Sequence, residues 1–270
     1  MSQDREKAQQ GSAAQRMFGA QAPVYATSQV HVRDASLDAL RRLAGPGPYR
    51  WAVDLGTGAG FTAFAMSTCA RRVLATDLTR PMLEQARRLG GERKLGNLTL
   101  VQTPAEALPF ASESLDLVTC RVACHHFADL DQALDEVRRV LRPGGALVVA
   151  DSVAPEDDAV SRWMNDVELR RDFSHVQNRK VSQWETMLAT RDLSIAGQET
   201  VRIHLEFNDW VARTATPQAE AQALRRDFLE AGSSVRQAFQ IQPAGDDIHF
   251  SWPCLVFRAV KGHTGQPSRL

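Results

Sequence analysis

The feature that most constrains the fold is the junction "VDLGTGAG" at residues 53–60, where an apolar run meets a cluster of glycines. An apolar run at 51–55 leads into the cluster, and a helix-like run at 61–70 follows it. A strand, a glycine turn and a helix in this order form the repeating unit of α/β sheets. Glycines in such a turn let bare backbone approach a bound molecule. The junction therefore predicts a ligand site at the end of the first strand.

The same alternation of short apolar runs and helical patterns continues to residue 151. Strands of this kind, buried on both faces and separated by helices, are typical of a parallel sheet wound on both sides. We therefore predict a doubly wound α/β core. Its strands are expected at 51–55, 72–76, 98–102, 115–120 and 146–151, and its helices at 34–43, 59–70, 81–89 and 130–141.

The rhythm changes after residue 151. Residues 155–192 are charged and helix-like, a strand is expected at 201–207, a helix at about 218–239 and a last strand at 249–260. We predict that the helical insertions form a lid over the carboxyl edge of the sheet. The expected organisation is a disordered N-terminus at 1–14, a core with an N-terminal helical cap at 15–152, lid and last two strands at 153–261, and a flexible tail at 262–270.

Composition excludes several classes of protein. Lys plus Arg and Asp plus Glu are equal at 32 each, whereas a nucleic-acid partner usually demands a basic excess. The apolar runs are too short to cross a bilayer, and the polar N-terminus lacks the apolar segment of a signal peptide. Four cysteines in 270 residues do not make a disulfide framework. We expect a soluble cytoplasmic protein without a nucleic-acid or membrane partner.

The glycine turn also indicates the class of ligand. Residues 58–63 match G-x-G-x-x-A, and Asp77 ends the next predicted strand, where a carboxylate can bind both hydroxyls of a ribose. An adenosine-like ligand is therefore expected. Asp54 beside the turn would repel a diphosphate but tolerate a sulfonium or ammonium group, which disfavours a nicotinamide dinucleotide and an oxidoreductase.

Five motifs occur in order: "DLGTGAG", "ATDLTRPMLEQAR", "AEALPF", "SLDLVTCRVACHHF" and "EVRRVLRPGGALVVAD". With them the chain resembles class I S-adenosylmethionine (SAM)-dependent methyltransferases, in the small-molecule branch related to ubiquinone/menaquinone C-methyltransferases. The resemblance implies a Rossmann-like, mostly parallel sheet of seven strands with the last antiparallel. "RDFSHV" at 171–176 is similar to the lid motif R-D-x-S-H-V of a bacterial subfamily.

The resemblance also implies which residues hold SAM. The glycine turn would line its methionine part, Asp77 would bind the ribose, and Phe18 and Tyr25 would fold over the ligand. Pro104 departs from the family pattern, because many members carry an aspartate there. The implied cofactor residues are Tyr25, Asp54, Gly56, Thr57, Gly58, Gly60, Asp77, Leu78, Met82, Ala105, Glu106 and Arg121.

Methyl transfer from a sulfonium needs mainly alignment, and a general base matters only if the acceptor must lose a proton. His125, His126 and His175 are the candidate bases, with Tyr25 as a further catalytic candidate. Packing under the sheet edge, or in the lid, is the structural alternative for each histidine. No metal site is expected, because C-x3-C-H-H at 120–126 is unlike the usual paired cysteine arrays.

Several questions stay open from the sequence. Trp163, Trp184, Trp210 and Trp252 would either wall an apolar acceptor pocket or form the core of the insertion. The expected function is SAM-dependent methylation of a small-molecule acceptor, with S-adenosylhomocysteine as product. A SAM-binding enzyme that catalyses cyclisation or rearrangement, a nicotinamide-dependent oxidoreductase and a non-catalytic interaction protein are the alternatives. A homodimer is the assembly considered.

Overall fold

A mixed sheet runs through the described part of the chain, which in this computed structural model covers residues 2–27 and 35–262. The strand order is β3-β2-β1-β4-β5-β8-β6, with the short β7 paired to β8. Strands β1 to β5 are mutually parallel, and β8 runs antiparallel to both neighbours. The strands are β1 (Tyr49–Leu55), β2 (Ala70–Asp77), β3 (Leu98–Gln102), β4 (Leu115–Arg121), β5 (Leu141–Ser152), β6 (Leu193–Glu206), β7 (Gln242–Ala244) and β8 (Asp247–Lys261).

Helices cover this sheet. They are α1 (Ser2–Thr27), α2 (Ala35–Ala44), α3 (Phe61–Met66), α4 (Arg80–Glu92), α5 (Leu130–Val140), α6 (Asp158–Arg171), α7 (Val181–Ala189), α8 (Phe207–Arg213), α9 (Gln218–Glu230) and α10 (Ser233–Phe239), with a 3-10 turn at Cys124–His126. The predicted α/β class with a mostly parallel sheet is confirmed. The hairpin strand β7 brings the total to eight strands, one more than expected.

The two parallel strands at the centre of the core, β1 and β4, are buried over continuous runs of residues. β4, "LDLVTCR", is buried along its whole length, and the last four residues of β1 are buried as well. A strand with helices on both faces reads as an apolar run rather than as an alternation. The sequence signal for the core was therefore strong, and the five predicted strands lie within or on the observed ones.

The first helix after the glycine turn is shorter than the sequence predicted. Gly60, with φ of 99°, stands at the N-cap, so α3 begins at Phe61 rather than at 59. At the other end Ala70 already pairs with Tyr49 in the sheet, so a helix reaching residue 70 is excluded. Strand pairing overrode the helical pattern here, since the backbone N–H of Tyr49 in β1 donates to the carbonyl of Cys69 at 2.8 Å.

The second half of the chain departs further from the predictions. β6 starts at Leu193, eight residues before the predicted strand, and pairs with β8 along its length. Phe207 begins α8 rather than ending the strand. The helical stretch predicted at 218–239 is interrupted after Glu230, and Ser233 begins a second helix. Gly232 lies at that interruption, and glycine is a weak helix former.

The N-terminus was predicted to be disordered at 1–14, and this prediction is wrong where the structure describes it. Residues 2–27 form the single helix α1. Ala13, Ala14 and Met17 are buried on one face of it, and Lys7 pairs with Asp129 at 2.6 Å. A prediction of disorder from composition counts hydrophobic residues without regard to their positions. Small residues that fall on one face of a helix can still pack against the folded core. The tail at 263–270 lies outside the described residues.

Candidate functional site

The carboxyl ends of β1, β2 and β4 border a cavity of about 500 Å³, which we call the edge cavity. Helix α1 provides one of its walls through residues from Lys7 to Phe18. Among the predicted cofactor residues, those in the cavity wall are Gly56, Thr57, Gly58, Asp77, Leu78, Met82, Ala105, Glu106 and Arg121. Ligands of open α/β sheets bind at this edge, and the cavity is of the size typical for small-molecule sites.

Two glycines of the turn have different structural roles. Gly58 lies in the cavity wall, and a Cβ built on it would meet no heavy atom within 4 Å. A Cβ on Gly60 would lie 2.5 Å from the Phe64 ring and 3.2 Å from Cβ of Ala86. Gly58 therefore presents open backbone to the cavity. Gly60, predicted as a cofactor residue, is not in the wall and instead allows the turn to pack against α3 and α4.

Asp54 does not line the cavity, which corrects its predicted contact with the ligand. Its side chain is completely buried under the turn, where it accepts hydrogen bonds from Oγ1 of Thr57 at 2.6 Å and Oγ1 of Thr119 at 2.7 Å. Burial raises the pKa of Asp54 to about 6, against the opposing effects of these bonds and of the Arg121 charge. Through these hydrogen bonds Asp54 stabilises the turn from its buried side.

Asp77 joins the turn to the cavity wall. One carboxylate oxygen accepts from the backbone N–H of Gly58 and the other from that of Thr79, each at 2.8 Å. Burial raises the pKa of the carboxyl, while the two backbone hydrogen bonds counteract the rise. A carboxylate has about four acceptor positions. Asp77 therefore keeps acceptor capacity for hydroxyl groups in the cavity.

The wall beyond Asp77 is largely apolar, with Leu78, Met82 and Ala105 in it. Glu106 adds a carboxylate there and accepts from the backbone N–H of Asp129 at 3.2 Å. Pro104, the position that departs from the family pattern, also lies in the wall. A flat apolar base would fit between such side chains, with polar groups at its rim.

Arg121 is the buried cation of the cavity wall. Its side chain ends β4, is 9% exposed, and donates to Oγ1 of Thr62 at 3.0 Å and to Oγ of Ser36 at 3.4 Å. It also lies close enough to Asp54 to lower the pKa of that carboxyl. The carboxyl end of β4 therefore brings a positive charge to the cavity wall.

The three candidate histidines come together, but only one of them lines the cavity. The ring centroid of His126 is 4.1 Å from that of His125 and 6.3 Å from that of His175. His126 lies in the cavity wall, and its ring meets Phe18 of α1 edge to face at 4.8 Å. His125 and His175 lie outside that wall, so of the predicted bases only His126 is placed to reach a molecule in the edge cavity.

Their protonation states differ. Burial opposes a charge on His125, yet the adjacent carboxylate of Asp151, 2.7 Å from its Nδ1, raises its pKa above the usual value. Burial and then the charge of His125 lower the pKa of His126 to about 4. Burial likewise lowers the pKa of His175 to about 2. The cavity-lining imidazole is thus neutral near pH 7.

The tyrosine and tryptophan predictions have different outcomes. The backbone of Tyr25 belongs to α1, but its side chain lies outside the described part of the structure. Trp163 stacks on Phe239 at 5.5 Å, and Trp210 and Trp252 lie in the same aromatic cluster. Trp184 instead packs against Phe257 of β8 in a separate hydrophobic cluster. None of the four tryptophans borders the edge cavity, so they are core residues and not a pocket wall.

The cysteines near the histidines do not complete a metal site. Sγ of Cys124 lies 3.3 Å from Sγ of Cys120, and both thiols are buried. Across residues 2–27 and 35–262, no group of three or more His, Cys, Asp or Glu side chains is placed to hold a metal ion. The contact with Cys124, followed by burial, raises the pKa of Cys120, so both cysteines act as small apolar side chains.

Sequence reasoning missed the polar residues of α1 in the cavity wall. Lys7, Ser12 and Gln15 all lie there, and Gln15 donates to the carbonyl of Leu78 at 3.3 Å. Residues 1–14 were predicted to be disordered, so the helical spacing of these polar residues was not recognised. No helix in the described ranges is long and apolar enough to cross a bilayer.

Comparison with known proteins identifies relatives that match nearly end to end. The chain matches the family described as "Methyltransferase domain" over residues 53–149. The uncharacterized methyltransferase YcgJ of Bacillus subtilis is 29% identical over 246 residues, which cover 90% of this chain and 97% of YcgJ. Its crystal structure aligns over 84% of this chain and 98% of YcgJ with a TM-score of 0.79.

Two further relatives are at least 30% identical and are covered almost completely. YafE of Escherichia coli is 37% identical over 190 residues, which cover 70% of this chain and 92% of YafE. BH2331 of Bacillus halodurans, provisionally assigned as a methyltransferase, is 30% identical. Its crystal structure aligns over 85% of this chain and all of BH2331 with a TM-score of 0.81.

Proposed function

Because this chain belongs to the SAM-dependent methyltransferase family, we propose that it moves the methyl group of SAM to a small organic acceptor in the edge cavity and releases S-adenosylhomocysteine. The acceptor atom is oxygen, nitrogen or carbon. We also infer that the chain belongs to the small-molecule branch related to ubiquinone/menaquinone C-methyltransferases, which the ordered motifs support, and to the subfamily with the R-D-x-S-H-V lid motif, which "RDFSHV" supports.

The observation that carries this proposal is the pairing of Gly58 and Asp77 at the cavity wall. The backbone N–H of Gly58 binds Asp77, and no side chain covers Gly58 on the open side. Asp77 retains acceptor positions for the two hydroxyls of a ribose, and Leu78 and Met82 border the space beside it. The donor and acceptor set thus fits a nucleoside with an uncharged base.

SAM supplies a methyl group that is already activated on a sulfonium, so the protein contributes alignment and exclusion of water. Alignment of this kind provides roughly 7–11 kcal/mol of the barrier in well-oriented systems. Helix α1 serves this purpose at the edge cavity, since Phe18 and Gln15 lie in its wall and Lys7 bridges to Asp129 across the rim.

His126 acts as the general base when the acceptor must lose a proton. Its ring lies in the cavity wall and has a pKa of about 4, so the imidazole is unprotonated at neutral pH. Proton transfer by a positioned side chain contributes roughly 10²- to 10⁴-fold to a rate. Arg121, in the same wall, stabilises negative charge that develops on the acceptor.

Ligand-induced stabilisation tests the binding part of the proposal. SAM and S-adenosylhomocysteine at a hundred times their dissociation constants should each add about 2.7 kcal/mol to the free energy of unfolding. NAD at the same concentration should add nothing. Stabilisation by NAD and by neither sulfur compound would overturn the assignment.

Substitution of Asp77 tests the site itself. Asp77→Ala should weaken SAM binding tenfold or more, because hydrogen bonds to a charged group contribute about 1.5–3 kcal/mol. Asp246→Ala, which removes an exposed carboxylate in the turn before β8, is the matched control and should bind SAM normally. Equal affinity in both variants, measured by calorimetry, contradicts the ribose role.

Transfer of label distinguishes methylation from other chemistry on the same fold. The protein is incubated with methyl-labelled SAM and a panel of phenols, amines and acidic carbon compounds, and the label is followed by mass spectrometry. Label in an acceptor supports the proposal. Binding of SAM with conversion of a candidate molecule but no label in the product would support the cyclisation or rearrangement alternative.

A further inference from the structure

The segment after α6 carries the "RDFSHV" sequence and packs directly against the histidines. Asp172 and Ser174 are buried in it, with exposures of 1% and 0%. Oδ1 of Asp172 accepts two hydrogen bonds from Ser174, one from the backbone N–H at 2.8 Å and one from Oγ at 2.6 Å. This double contact fixes both the turn and the direction in which the Ser174 hydroxyl points its proton.

The contacts of Ser174 determine the tautomer of His126. Nδ1 of His126 lies 3.1 Å from the Ser174 carbonyl oxygen and 3.2 Å from its hydroxyl oxygen. The carbonyl can only accept, and the hydroxyl has already given its proton to Asp172. Both atoms facing Nδ1 are therefore acceptors, so Nδ1 must carry the proton. A neutral imidazole then has its lone pair on Nε2.

The other ring nitrogen, Nε2, is the one left to interact with a molecule in the edge cavity. No hydrogen-bond partner is recorded for Nε2 of His126 among residues 2–27 and 35–262, and the residue lies in the cavity wall beside Phe18. The arrangement on Nδ1 thus leaves the basic nitrogen available to a molecule in the cavity.

Titratable groups from several elements surround this ring. His125 and its partner Asp151 of β5 lie on one side, Asp172 and His175 lie in the segment after α6, and Arg171 is the last residue of α6. Burial, followed by the positive charge of His125, holds the pKa of His126 low despite the nearby carboxylates. A choice between two tautomers exists only for a neutral imidazole, which is the state of His126 near pH 7.

We propose that Ser174 and Asp172 are positioning residues, which hold His126 as the Nδ1-protonated tautomer and so present Nε2 to the acceptor. The proposal rests on the proposed function of His126 as a base. The lid motif then has a purpose beyond covering the sheet edge, since it sets which nitrogen of the base faces the acceptor.

Nitrogen NMR tests this directly and needs no acceptor. Long-range proton–nitrogen correlation spectra of protein labelled with ¹⁵N at histidine are recorded at pH 7.5, and the His126 signals are assigned by their loss in His126→Gln. In the wild type, Nδ1 should show the shift of a protonated nitrogen and Nε2 that of an unprotonated one. A wild-type spectrum with the proton on Nε2, or on both nitrogens, would overturn the proposal.

The variants Ser174→Ala and Asp172→Ala test the two positioning residues. Removing one of the two acceptors, or freeing the hydroxyl proton to point at Nδ1, should lower the ratio of the Nδ1-protonated to the Nε2-protonated form roughly two- to tenfold. The exposed His204 and His249 report in the same spectra that the variants are folded. If either variant fails to fold, the wild-type spectrum and the other variant still decide.

An unchanged tautomer ratio in the folded variants refutes the role of Ser174 and Asp172. The outcome is separate from the proposed function, because stabilisation by SAM is measured on the same wild-type sample. Absence of SAM binding with the expected tautomer would overturn the proposed function alone, and SAM binding with the opposite tautomer would overturn only this inference.

Discussion

Two sides of the edge cavity bury ionisable groups at the same sheet edge, and they differ in which kind of group they hold. The glycine side consists of Asp54, Thr57, Gly58 and Asp77, and the histidine side consists of His125, His126, His175 and the carboxylates beside them. Burial raises the pKa of Asp54 to about 6 and lowers that of His126 to about 4. One physical cause, the cost of placing charge in a poorly solvated site, moves acids and bases in opposite directions.

This difference indicates that the two sides of the cavity have separate roles. On the glycine side the carboxylates bind backbone and hydroxyl donors, so they hold the turn rigid. On the histidine side the carboxylate of Asp151 raises the pKa of His125 against the effect of burial, whereas burial, followed by the charge of His125, lowers the pKa of His126. The first side presents open backbone and carboxylate acceptors to the cavity, and the second presents a neutral imidazole.

The largest expected effect comes from the histidine side. His126→Gln should lower the rate of label transfer at saturating SAM by roughly 10²- to 10⁴-fold, since a general base is lost, for an acceptor that must lose a proton. SAM affinity should stay within a few-fold of the wild type, as the glycine side is intact. His249→Gln, an exposed histidine on β8, is the control. An unchanged rate in His126→Gln would make the histidine side purely structural.

The glycine side is probed by a matched pair of alanine substitutions. Gly60→Ala should destabilise the fold by roughly 2–5 kcal/mol, because the methyl group meets the Phe64 ring and the backbone has φ of 99°. Gly58→Ala should cost only about 1–2 kcal/mol, since its methyl group enters open space, but should weaken SAM binding. Urea unfolding measures the first effect and calorimetry the second.

Equal destabilisation of the two glycine variants would contradict the division of roles. It would mean that Gly58, like Gly60, is a packing residue rather than an exposed edge of the site.

The opposite pKa shifts predict opposite pH dependences of stability. His126 takes up its proton near pH 6.5 when unfolded but only near 4 when folded, so its contribution is present above pH 6.5 and lost by pH 4. Asp54 takes up its proton near 6 when folded and near 3.8 when unfolded, so its contribution is present below pH 3.8 and lost as pH rises through 6. Each effect amounts to up to about 3 kcal/mol.

Denaturant unfolding between pH 4 and 7 checks these signs. Relative to wild type, His126→Gln should gain stability as pH falls from 6.5 to 4, and Asp54→Asn should lose stability as pH falls from 6 to 3.8. Slopes of the same sign in both variants would show that the two sides do not respond to burial in the way described.

The smallest expected effect comes from the rim. Lys7→Ala removes the ion pair between α1 and Asp129, whose side chains are 45% and 23% exposed. Exposed pairs contribute about 0.2–1 kcal/mol, so SAM affinity should fall less than roughly fivefold. The difference from wild type should vanish in 1 M salt, where such pairs are screened. A hundredfold loss that persists in salt would instead assign Lys7 a direct contact with the ligand.

Much of the fold and of the glycine side was predictable from local patterns. The strand–turn–helix order and the spacing from Gly58 to Asp77 are properties of consecutive residues, and nine of the predicted cofactor residues lie in the cavity wall. Asp54 and Gly60 were placed wrongly in detail, because a motif identifies a turn but not which atoms of the turn face outward. The histidines were predicted as a group, without the distinction that only His126 reaches the cavity.

The sequence by itself determined the order of strands and helices from β1 to β5, the position of the glycine turn and the family, since periodicity and turn chemistry act over a few residues. Tertiary structure alone decided that α1 forms a cavity wall and that Ser174 sets the proton on His126. These contacts join residues 122 positions apart, Lys7 and Asp129, and 48 positions apart, His126 and Ser174. Partners so distant are chosen by packing of the whole chain, which no local pattern encodes.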